Sequence, residues 1–125
     1  MSLSQDYARV LRRDRTLRGF CDQYGVQSVP HLPMGRFSYY DCGSHVSRWL
    51  ESKYGQDNFT FGDEVPWSLA KPGDIIQYDT WHIGILLDPE TRLVESCWGL
   101  EGLVFQHHVD TSPYGNPRII EVIHA

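Results

Sequence analysis

A chain of 125 residues, 41% hydrophobic and 22% charged, holds enough apolar material for one core and too little for two, so a single domain over 1–125 is expected. A net charge of −5 speaks against a nucleic-acid partner, which would need a cationic surface. No apolar run approaches the roughly 18 residues a membrane span requires, so no membrane insertion is expected.

Leu3, Tyr7, Val10, Leu11, Leu17, Cys21 and Tyr24 recur at helical spacing, which predicts an amphipathic helix over 4–24 with Gly25 as its stop. Its basic residues, Arg9, Arg12, Arg13, Arg15 and Arg18, read either as a solvated face or as a patch that docks on an anionic partner. Pro30, Pro33 and Gly35 make 26–40 a loop. Asp41 is a natural cap for a second helix that buries Val46, Trp49, Leu50 and Tyr54 and closes at Gly55. Gly62 and Pro66 then suggest another loop over 56–70. Beyond the turn Lys71-Pro72-Gly73-Asp74 the pattern is strand-like: 75–78, 82–87, 93–98, 103–109 and 118–124, with Asp88-Pro89-Glu90-Thr91 as a hairpin connection. Helices first and then an antiparallel sheet of about five strands make the expected class α+β.

The three cysteines, Cys21, Cys42 and Cys97, leave at least one thiol unpaired, and no Cys-x-x-Cys spacing points to zinc or a redox dithiol. Cys42 falls where the second helix begins. Unpaired amides at a helix start favour negative charge, and the thiolate is the reactive form of cysteine. His82 opens a strand further on and can act as the base that takes the thiol proton. His45, one helical turn after Cys42, is the rival base. His107 and His108 are adjacent and would face opposite ways on a strand, so a metal site built from both is not expected. No metal or organic cofactor is needed. Cys97 would share a strand face with Glu95, and Trp81, beside His82, could line a peptide groove.

Tyr40-Asp41-Cys42-Gly43-Ser44-His45-Val46-Ser47 resembles the Asp-Cys-Ser-Gly nucleophile motif of the NlpC family of cell-wall cysteine peptidases. Lys71-Pro72-Gly73-Asp74-Ile75-Ile76-Gln77-Tyr78, followed by His82-Ile83-Gly84-Ile85, resembles that family's Pro-Gly-Asp strand and its histidine strand. The resemblance implies a papain-like fold and hydrolysis of amide bonds in peptidoglycan stem peptides. It implies Cys42 as nucleophile, His82 as base, and a third polar residue on the following strand. Alignment across the hairpin puts Glu95 in that third place, with Asp110 the alternative. The resemblance further implies that Asp41 binds a substrate amine and that Ser44 and Tyr40 shape the substrate site. Two departures stand out: Gly43-Ser44 reverses the family's Ser-Gly order, and the usual upstream tyrosine is replaced, if at all, by Tyr39 or Tyr40.

The first residues show no basic n-region or apolar h-region, so the expectation is synthesis in the cytoplasm with action at the cell wall or periplasm after delivery. Two other readings share these residues. One is acyl transfer or amide hydrolysis on another substrate; the other is a non-catalytic module that binds cell-wall peptide or packs in a phage tail. Nothing in the pattern speaks to oligomeric state.

Overall fold

A computed structural model describes residues 2–35, 37, 39–99 and 103–124. The chain opens with α1 (Leu3–Leu11), whose start is fixed by a reciprocal cap between Ser2 and Gln5. It continues into α2 (Leu17–Tyr24), capped by Thr16 through the Gly19 amide and ended by Gly25 in the left-handed conformation. The single helix expected over 4–24 is therefore two. Arg13, at φ 64°, turns the chain between them, and Thr16 restarts the hydrogen-bond ladder.

Next come β1 (Gln27–Val29) and α3 (Cys42–Tyr54), the latter capped by the Asp41 carboxylate on the Ser44 amide and closed at Gly55. The remaining strands are β2 (Phe59–Val65), β3 (Ile75–Tyr78), β4 (His82–Asp88), β5 (Leu93–Trp98), β6 (Leu103–His108) and β7 (Pro117–His124), with a 3-10 turn at Trp67–Leu69. All strand pairs are antiparallel, in the order β1-β6-β5-β4-β3-β7-β2. The class is α+β as expected, but among the described residues the sheet has seven strands. The two additions, β1 and β2, are its edges and lie in segments expected to be loops.

Period-two alternation sends side chains of the central strands to two covered faces. On one, Ile75, Ile85 and Val122 pack against Val46 and Leu50 of α3. On the other, Trp98 and Phe105 pack against Tyr7, Val10 and Phe20 of α1 and α2, while Ile76, Tyr78, Leu86, Val94 and Ile119 form an adjoining cluster. Asp74, expected only as part of a turn, is fully buried. Its carboxylate accepts from the Lys71 ammonium (2.8 Å), the Lys71 amide (3.0 Å) and the Val122 amide (3.0 Å), which locks the entry of β3 to β7. Gly84 lets β4 approach β5: a Cβ there would meet the Ser96 Cβ and Val94 Cγ1 at 2.9 Å.

Candidate active site

Cys42 is the first residue of α3, placed there by the Asp41 cap. Asp41 satisfies the Ser44 amide, while the amides of Cys42 and Gly43, in the first turn of the helix, have no intrahelical acceptor and form a ready donor pair. His82 is the first residue of β4 and is 3% exposed. The hairpin before it is a three-residue connection, because Tyr78 pairs directly with His82. Its last residue, Trp81, holds the left-handed conformation (φ 60°) that such hairpins usually give to glycine.

Cys42 and His82 line one pocket of about 200 Å³. Asp41, Thr80, Trp81, Cys97, Gly99 and Tyr114 complete its wall. A larger cleft of about 450 Å³ lies between α1 and α2, bounded by Val10 and 13–17, and it contains neither thiol nor imidazole. The thiol therefore comes from the helix on one sheet face, while the imidazole shares the opposite face with Tyr78. They reach a common space at the margin where β4 begins and β5 ends.

The environment of His82 is apolar. Burial, reinforced by the charge His107 would carry, pushes the imidazole down to about 3, so it is neutral at physiological pH. Its Nε2 is buried and has no hydrogen-bond partner among the described residues. The ring stacks on Tyr114 at 3.8 Å with an interplanar angle of 16°, and Tyr78 lies 5.6 Å away. Nearby, the Trp98 indole N–H donates to Ser96 Oγ (2.9 Å), and Ser96 pairs with His107 Nε2 (2.8 Å). His107 Nδ1 lies 2.8 Å from the His108 carbonyl. A carbonyl can only accept, so Nδ1 carries the proton, Nε2 accepts, and the Ser96 hydroxyl is the donor.

Glu95 does not meet His82. It pairs across the ladder with Ile85, three residues from His82, and so points to the opposite face. There its Oε2 accepts from His45 Nε2 at 2.8 Å and its Oε1 from the Gln106 side-chain Nε2 at 3.0 Å. Burial raises the Glu95 carboxyl, but these two hydrogen bonds outweigh it and hold the group below the ordinary glutamate range. His45, the rival base, is equally committed, because its Nδ1 bonds the Tyr40 hydroxyl. Tyr40 in turn accepts from the Leu32 amide (3.1 Å), so the network fastens the loop before α3, α3 itself and β5 together.

Tyr40 and Ser44, expected to shape the substrate site, are both buried and neither lines the pocket. Asp41 and Trp81 do line it, and Trp81 is 91% exposed at its rim. Asp110, the alternative third residue, lies beyond β6 and pairs with His108 at 3.8 Å. Cys97 shares the Glu95 face as expected; burial, with Cys42 and Asp41 nearby, pushes its thiol up to about 12. Burial likewise raises the Cys21 thiol. Among the described residues no group of three or more His, Cys, Asp and Glu is placed to hold a metal ion. Tyr114, Thr80 and Gly99 are the lining residues that sequence reasoning missed. They lie in connections whose composition signals only a turn.

No protein-family model matches this sequence, and no curated protein or solved structure is significantly similar to it.

Proposed function

We propose that the protein is a thiol hydrolase of amide bonds, with Cys42 as nucleophile and His82 as base. Its fold would be papain-like and its substrate a peptidoglycan stem peptide, met at the cell wall after delivery. The observation that carries the chemistry is the shared pocket of Cys42 and His82. The substrate class rests on the resemblance of the cysteine and histidine segments to the NlpC family.

With Nε2 sealed in the protein, His82 exchanges protons through Nδ1. The Cys42 proton passes to that nitrogen as Sγ attacks the carbonyl carbon. The C–N bond then breaks, and the departing amine takes the proton from the imidazolium. Water activated by the same nitrogen hydrolyses the thioester and restores the thiol. The Cys42 and Gly43 amides would donate to the oxyanion. Asp41 and Trp81 would hold the substrate, the first through a cationic amine and the second through its exposed ring face.

Mass spectrometry of stem peptides after incubation with wild type and with Cys42→Ala tests this reading. A fragment pair formed only by wild type establishes the peptidase and identifies its bond. The unpartnered Nε2 and the diversion of Glu95 to His45 favour a second reading, a module that binds cell-wall peptide without cleaving it. No cleavage, with peptide retained by the folded protein, would select that one.

A further inference from the structure

A histidine that works as a base needs its ring plane fixed, and a hydrogen bond to the far nitrogen usually does this. Among the described residues nothing hydrogen-bonds Nε2 of His82. Glu95 is spent on His45 and Gln106, and Ser96 on Trp98 and His107. The close contact that remains is the face of Tyr114, 3.8 Å away and within 16° of parallel. Rotation of the imidazole out of that plane would drive its edge into the phenol ring.

The connection that carries Tyr114 is tied to the hairpin that carries His82. The Tyr114 carbonyl accepts from both the Thr80 amide (3.3 Å) and the Thr80 hydroxyl (2.8 Å). The Asn116 amide donates to Asp79 at 3.0 Å. The stack is thus held by three hydrogen bonds between two loops rather than by chance side-chain contact.

Resting on the thiol–imidazole reading above, we propose that Tyr114 is the positioning residue of His82, its ring taking the place of a hydrogen-bonded third residue. The same face acts in a second way. When His82 takes the thiol proton it becomes a cation in a site that otherwise opposes charge, and the electron-rich ring of a stacked tyrosine favours that cation. Tyr114 also lines the pocket that holds the thiol. Burial raises its hydroxyl to about 12 against the opposing Gly99 amide, and a charged Cys42 adds to the rise.

The test is the rate of Cys42 alkylation by iodoacetamide as a function of pH, read by peptide mass spectrometry. It uses wild type, His82→Ala, Tyr114→Phe, Tyr114→Leu and the His82→Ala/Tyr114→Leu double variant, each checked for native circular dichroism. Tyr114→Phe keeps the ring and is expected to follow the wild-type profile. Tyr114→Leu is expected to fall about tenfold, towards His82→Ala, and to cost nothing further in the double variant. Tyr114→Met replaces the leucine variant if the latter does not fold. A leucine variant that matches wild type, or a phenylalanine variant that falls as far as leucine, overturns the role of the ring. So does a full additive loss in the double variant. If wild type is no faster than His82→Ala, the thiol–imidazole pair itself fails, and Tyr114 with it.

Discussion

Replacing His82 by Phe should make the protein more stable and less sensitive to acid. At neutral pH the wild type buries an imidazole nitrogen with no partner among the described residues, a defect worth about 1–3 kcal/mol. Phenylalanine keeps a flat ring against Tyr114 and removes the polar atom, so stability at pH 7 should rise by up to that amount, less any strain from the larger ring. The acid term is separable. His82 titrates near its ordinary value of 6.5 when unfolded but only at about 3 when folded, so below pH 6.5 the unfolded state binds the extra proton. Stability attributable to the neutral imidazole is complete above pH 6.5 and is lost as pH falls towards 3. Between pH 7 and pH 5 the loss is about 2 kcal/mol. Asp6, held low by the Tyr24 hydroxyl, and Glu95 titrate mainly below that interval, whereas His107, pushed down by burial to about 4, contributes in the same direction and persists in the variant. Urea unfolding at pH 7 and pH 5, followed by tryptophan fluorescence, measures both terms. A His82→Phe protein that is clearly less stable at pH 7, or that loses as much on acidification as wild type, would refute this account of the buried imidazole.

Three further outcomes are expected. Glu95→Ala should cost about 2–3 kcal/mol in urea unfolding by stranding His45, yet leave the pH profile of Cys42 alkylation in place, because Glu95 serves the other face of the sheet. Differential alkylation at neutral pH should modify Cys42 before Cys21, with Cys97 last in line, since burial raises both of the other thiols and encloses Cys97 completely. Trp81→Gly should relieve the left-handed backbone and raise the thermal midpoint slightly, by the equivalent of about 0.5–1 kcal/mol after the entropic cost of glycine. Peptide retention should weaken in the same variant, and unchanged retention would remove the indole from the proposed substrate site.

The elements that position the site were legible because each carries local chemistry. Asp41 before the Val46, Trp49, Leu50 pattern marks α3, and the central strands lie within a residue of their expected bounds. What escaped has identifiable causes. The break between α1 and α2 falls where apolar spacing continues from Leu11 to Leu17, so periodicity bridges a turn that only the Thr16 cap betrays. β1 has three residues, too few for a pattern, and the alternation of β2 is broken by an irregularity between Phe61 and Glu64. The face of Glu95 turns on a single residue of register, while an offset of three or four residues along the strand keeps it from His82 in either register. Asp88 pairs with Leu93 at the mouth of the hairpin, and an unbroken ladder from there would set Glu95 opposite Leu86, on the face of His82. A bulge between Leu86 and Asp88 moves it opposite Ile85 instead. One inserted residue reverses the face of everything beyond it, and no periodicity in the strand announces it.

The thiol and the imidazole approach from opposite sides of the sheet, so their separation is set by two independently packed layers. Cys42 moves with α3 and the aliphatic cluster beneath it, while His82 moves with the aromatic side of Tyr78 and Tyr114. Loosening either layer would misalign the proposed pair before it unfolds the sheet that both share. Reactivity at Cys42 is therefore a gauge of interlayer alignment, and on heating it should decline ahead of the cooperative melt. Mutations far from the pocket on either side would then lower Cys42 reactivity in a protein that remains folded.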